Sequence, residues 1–104
     1  MIVITADRDI KMNVEELNLK NGTTFNFDTR IFSIVDEKGD VIVAFSDEEQ
    51  RNIFADAIIE SIITQRNKGF SHFETIIDVN SIHDHLFKTN EAYKEIELGD
   101  LQID

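Results

Sequence analysis

The chain has no cysteine, no proline and no tryptophan, only four glycines, and ten lysines and arginines against 21 acids. Without cysteine, disulfides, thiolate nucleophiles and cysteine-ligated zinc are all excluded. A reducing interior is the matching compartment. The glycines, Gly22, Gly39, Gly69 and Gly99, stand far apart, so no glycine-rich phosphate loop can form. Long apolar runs are missing too, since no stretch approaches the roughly 20 residues that cross a bilayer. The opening "MIVITADRDIK" meets acid at Asp7 without a basic leader. A soluble cytoplasmic protein is expected.

The shortage of positive charge leaves a net of -11 over 104 residues. Such a surface repels phosphate backbones and anionic lipids and is steered toward basic partners. Neither direct nucleic-acid binding nor membrane binding is expected. The length is that of one domain, 1–104, and the 41% of apolar residues fall in periodic clusters that argue for a folded core.

The most legible unit is "SIVDEKGDVIVAF". Two extended apolar runs, about 30 to 35 and 41 to 45, flank a turn in which Gly39 can take positive φ, which predicts an antiparallel hairpin. Upstream, Ile2 to Thr5 reads as a strand, "MNVEELNL" as a strand or irregular edge, and Asn21-Gly22 as a turn before the alternating Phe25 and Phe27. After the hairpin, Ser46 followed by Asp47, Glu48 and Glu49 predicts a capping box, with Ser46 as cap and Glu49 reaching back.

A helix over about 47 to 66 follows, with Ile53, Phe54, Ala57, Ile58, Ile59, Ile62 and Ile63 on a broad apolar face. Arg51, Asp56, Glu60 and Gln65 fall mostly elsewhere on it. Gly69 suits its end. "FETIIDV" reads as a strand over about 73 to 79, and Asn80 or Ser81 as the cap of a shorter helix over about 82 to 93. The tail, with Ile96, Leu98, Leu101 and Ile103, suits a terminal strand or an acidic extended segment. The fold class expected is α+β, a small antiparallel sheet packed against a long central helix.

"NSIHDHLFKTNEAY" holds two of the three histidines. On a helix, His83 and His85 point to different sides and cannot chelate one ion together. A site using His72, one of that pair and Asp78 or Glu74 is conceivable, but no spacing matches a zinc pattern. Ser71 beside His72 is adjacency without an orienting third group. Among 21 acids, pairs such as Asp47 with Glu48 or Glu95 with Glu97 arise by chance and carry no specificity as acid/base couples. Neither catalytic residues nor a metal or other cofactor is expected.

The eight phenylalanines read mostly as core anchors, because stacking platforms come with basic residues to hold a nucleic-acid backbone. Phe70 and Phe73, in a turn with His72, are the pair expected to lie partly exposed.

What remains is a non-enzymatic acidic domain that binds another protein. Two surfaces are candidates: Asp47, Glu48 and Glu49 with Asp56 and Glu60 along an outward helix face, and a C-terminal segment with Glu91, Glu95, Glu97 and Asp100. The ordinary alternative for each is a solvated helix face or tail. The expected role is an inhibitor or adaptor occupying a basic, nucleic-acid-handling surface, with carboxylates in place of phosphates. In size, acidity and lack of catalytic groups the chain resembles in style the small proteins with which bacteriophages and mobile elements disable host machinery. That style, which rests on no motif, implies a host partner such as a replication ATPase. The competing readings are a self-associating structural domain, as a homodimer through an edge strand or helix face, and a metal-binding regulator or small enzyme using His72, His83 and His85.

Overall fold

The computed structural model describes residues 1–26 and 29–89, with side chains described outside 20–30 and 87–89. In chain order the elements are β1 (Ile2–Ile4), β2 (Ile10–Lys11), β3 (Leu17–Asn26), β4 (Thr29–Asp36), β5 (Val41–Phe45), α1 (Glu48–Asn67), β6 (Ile76–Asp78) and α2 (Val79–Thr89). The expected α+β class, with a small antiparallel sheet against a long helix and a short second helix, is what the chain adopts.

The hairpin of β4 and β5 forms where alternation and turn chemistry place it. Gly39 takes φ +84 and its amide donates to the Asp36 carbonyl at 3.0 Å. The Asp36 carboxylate accepts the amides of Lys38 and Asp40, both at 2.9 Å, so one side chain closes the turn. Strand β3 joins this pair to make an antiparallel sheet ordered β3-β4-β5. Asn21 and Gly22 do not turn the chain. They lie inside β3, where its register on β4 slips between Asn18 and Asn21 and again between Asn21 and Thr23. The local turn preference is spent on an irregularity in a strand that cross-strand pairing carries through.

A second sheet, ordered β2-β1-β6, adds a parallel pair: Ile2, Val3 and Ile4 of β1 lie opposite Ile76, Ile77 and Asp78 of β6. Strand β6 is shorter than the expected 73 to 79. The preceding residues turn instead, with the Glu74 amide donating to the Ser71 carbonyl and the Thr75 amide to that of His72. Helix α2 follows β6 without a loop. Its start is capped by Asp78, whose Oδ1 accepts the amides of Asn80 at 3.2 Å and Ser81 at 3.4 Å, rather than by Asn80 or Ser81 themselves. The helix therefore begins at Val79, earlier than 82; residues 90–93 of its expected span lie outside the described residues, as does the terminal strand.

At the start of α1 the cap is Asp47, not Ser46. Its Oδ1 accepts the Glu49 amide at 2.9 Å, so Glu49 supplies the bonded amide at this end. Helix α1 then buries Phe54, Ala55 and Ile58 against one continuous core that includes Val3, Ile34, Ile42, Phe45, Ile77 and Val79. Phe54 meets Phe45 at 5.3 Å between ring centroids. The buried face is narrower than the broad isoleucine face expected. At about 100° per residue, Ile59 and Ile63 stand roughly 100° and 140° around from Ile58, and they are 43% and 53% exposed.

Arg51 falls within about 20° of Ile58 on the same wheel and is buried, contrary to its expected place on the polar side. Its guanidinium lies 5.8 Å from the centroid of Phe32, and Nε donates to Asn52 at 2.9 Å. The aliphatic stem fills the core-facing position while the head rests on an aromatic face.

Candidate protein-binding site

The helix acids divide by what they already do. Asp47 is committed to the cap. Glu48 lies 3.7 Å from the Arg51 guanidinium, which offsets part of its charge. Glu49, Asp56 and Glu60 are exposed and spaced by seven and four residues, so they fall within about 40° of one another around α1 and span about 16 Å. Among the described residues none of these three is ion-paired. A phosphate strand carries a charge about every 3.4 Å of axis, about five over that length. The row is sparser than a nucleic-acid strand but held on a rigid support. The other acidic surface, Glu91, Glu95, Glu97 and Asp100, lies outside the described residues.

Beside this row runs a surface groove of about 550 Å³ between the beginning of β3 and the flank of α1. Leu17, Leu19, Ala55 and Ile59 give it apolar walls, and Glu16, Glu37 and Asp56 add carboxylates. This concavity was not foreseen from the sequence. The alternation in "EELNL" and an isoleucine between Asp56 and Glu60 are its traces, but only the approach of β3 to α1 joins them.

At one end of the groove sits Asp36, 2% exposed through its side chain and 2.6 Å from the Lys11 ammonium. Lys11 also reaches Asp40 at 3.2 Å, so one cation ties β2 to the β4–β5 turn and hence one sheet to the other. The Lys11 hydrogen bond outweighs the opposing effect of burial and, with the amides of Asp40 and Lys38, holds the Asp36 carboxyl below its ordinary value. Reciprocally, the bond to Asp36 raises Lys11 against the cost of its desolvation. This centre is structural: its acid is matched.

The histidines are not brought together. His72 lies in the turn with its ring 6.1 Å from that of Phe73, while His83 and His85 are on α2. Glu74 accepts the Ser71 amide at 3.0 Å, and its carboxyl is held below the ordinary value chiefly by that bond. Among the described residues no three His, Asp or Glu side chains gather to hold a metal ion. No helix among them is long and apolar enough to cross a membrane.

Phe70 and Phe73 are 46% and 74% exposed, as their turn position implied, and Ile76 of β6 is exposed near them in sequence. The outer edge of β6 is nonetheless occupied. The Gln65 side-chain amide donates to the Ile76 carbonyl at 2.7 Å and accepts the Ile76 amide at 2.9 Å, as a neighbouring strand would. Gln65 thus blunts the edge against pairing with another chain.

No protein-family model, curated protein or solved structure matches this chain.

Proposed function

We propose that this chain is a non-enzymatic binding protein that docks on a basic, nucleic-acid-handling surface of a larger protein as an inhibitor or adaptor. The observation that carries this reading is the exposed row of Glu49, Asp56 and Glu60 on α1, without a countercharge among the described residues, in a chain of net charge -11. Carboxylates on a rigid helix form charge-assisted hydrogen bonds to arginine and lysine with little ordering cost, and the net charge accelerates encounter with a basic surface. The low charge density favours a few discrete ion pairs over imitation of a whole phosphate strand. In its phage-style form, the partner is a host DNA-replication protein such as a replication ATPase.

The test is affinity capture from a bacterial lysate, with and without nuclease, eluted over a salt gradient. Wild type is compared with a triple variant carrying Glu49→Gln, Asp56→Asn and Glu60→Gln. All three side chains are exposed, so the fold should be unaffected. One basic protein captured in both nuclease arms, released by salt and lost with the triple variant, is the expected result. Undiminished capture by the variant refutes the assignment to α1.

Exposed Phe70 and Phe73 favour a second reading, self-association through the turn before β6. It requires a mass that rises with concentration in sedimentation and falls back on Phe73→Ser.

A further inference from the structure

We propose that the groove between β3 and α1 receives an extended peptide segment of the partner, added as a strand along the outer side of β3, with basic and aliphatic side chains in alternation. This rests on the protein-binding reading above and names the site and the form of the ligand.

Three observations converge on it. Four successive residues, Glu16 to Leu19, line the groove. Three of them, Leu17 to Leu19, are consecutive in β3, and because side chains of a strand alternate between faces, the groove borders both the inward and the outward positions of this stretch. In the sheet ordered β3-β4-β5, β3 is an outer strand, with no strand on its second side among the described residues, and α1 forms the opposite wall. A cleft between an edge strand and a helix is the geometry in which an extended peptide gains main-chain hydrogen bonds from the strand and side-chain pockets from the helix.

The chemistry of the walls then selects the side chains. Ile59 is 43% exposed on a helix whose other face is in the core, and with Leu17, Leu19 and Ala55 it offers an apolar floor for an aliphatic side chain. Glu16, Glu37 and Asp56 stand around that floor, while Asp36 is already matched by Lys11. Glu37 accepts the Glu15 amide at 3.2 Å, which steadies its carboxylate beside the cleft. The uncompensated charge is negative on both walls. A segment with arginine or lysine at every second position and leucine-like residues between them matches both features, because the period of an extended chain is two. An acidic segment meets repulsion from both sides.

The probe is a short fluorescent peptide of alternating leucine and arginine, titrated into the full chain at low salt by anisotropy, with amide NMR mapping of the contact. Its comparisons are the same peptide N-methylated on alternate residues, a leucine–glutamate peptide, and a basic peptide locked as a helix. Expected are saturable binding of the leucine–arginine peptide, shifts centred on residues 16–19 and 55–59, and loss of affinity on N-methylation. Ile59→Gln, an exposed change outside the α1 acidic row, should weaken binding about tenfold. Asp84→Asn, at an exposed acid of α2 that is neither in the α1 row nor in the groove lining, should leave it within about twofold.

Equal binding of the N-methylated peptide, or preference for the basic helix, overturns strand addition. Shifts along Glu49 and Glu60 with Ile59→Gln silent overturn the groove as the site while leaving a basic partner on α1 intact. If no basic peptide binds, the groove proposal falls. The broader reading then falls as well only if the capture experiment with the α1 triple variant also fails.

Discussion

Replacing Asp36 should be the most costly single change on the polar side of this fold. Its carboxylate accepts two backbone amides at 2.9 Å and the Lys11 ammonium at 2.6 Å, in a position where only 2% of the side chain meets solvent. A hydrogen bond to a charged group contributes about 1.5–3 kcal/mol, and each amide left without an acceptor costs about 1 kcal/mol. Asp36→Asn keeps an oxygen for the turn amides but loses the charge, so about 2 kcal/mol is expected. Asp36→Ala loses all three bonds and strands Lys11, for about 3–5 kcal/mol. For a domain of this size each kcal/mol lowers Tm by about 4–8 °C, so the alanine variant should melt at least about 12 °C lower.

The assay is urea unfolding of both variants, Lys11→Met and the Lys11→Met/Asp36→Asn double variant. The cycle should return a coupling of about 1–2 kcal/mol that persists in high salt, because Asp36 is shielded from screening ions. The pH dependence has a fixed sign. Asp36 is held below its ordinary 3.8, so the folded state binds fewer protons than the unfolded state there. Its contribution is present above that value and is lost as pH falls through the lower folded value. Lys11 is held above its ordinary 10.5; its contribution is present below that value and is lost as pH rises through the higher folded one. A coupling under about 0.5 kcal/mol, or an acid limb that Asp36→Asn leaves unchanged, would refute this account of the centre.

Three further outcomes follow from the geometry. Asp47→Ala should cost about 1 kcal/mol in urea unfolding and Ser46→Ala only a few tenths, because Asp47 is the cap; the reverse order would restore the capping box. Gln65→Ala should speed hydrogen exchange at the Ile76 amide and produce a concentration-dependent mass by sedimentation, since the outer edge of β6 is then open; unchanged exchange would show that the side-chain amide protects nothing. Phe54→Ala, at a position with no solvent exposure and in contact with Phe45, should lower stability by about 3–5 kcal/mol, and a loss below about 1 kcal/mol would place Phe54 outside the core.

The β4–β5 hairpin was legible because its signals are local: period-two alternation on each side and a glycine at the one position that needs positive φ. The long helix was legible for the same reason, and Gly69, with φ +93, ends it where expected. Caps were less legible, since Ser46 and Asp47 both qualify chemically and the choice depends on where the chain leaves β5. Of the candidate site, the row of Glu49, Asp56 and Glu60 could be read from helical spacing alone. The groove beside it could not, because Leu17 and Ile59 are 42 residues apart in number and meet only through the packing of β3 on α1.

By itself, then, the sequence determined what depends on neighbours within a turn or a hairpin: the β4–β5 hairpin, the long helix, the outward acidic stripe, the exposed pair Phe70 and Phe73, and a net charge of -11. The tertiary structure decided what depends on distant partners. It set β1 parallel to β6 across nearly the whole described chain, buried Arg51 against Phe32, gave Lys11 to Asp36, and made Gln65 stand in for a strand. Each of these side chains carries a polar or charged group whose place on a one-dimensional pattern is outside. Burial became favourable only where folding delivered a specific acceptor, donor or aromatic face to offset the loss of water.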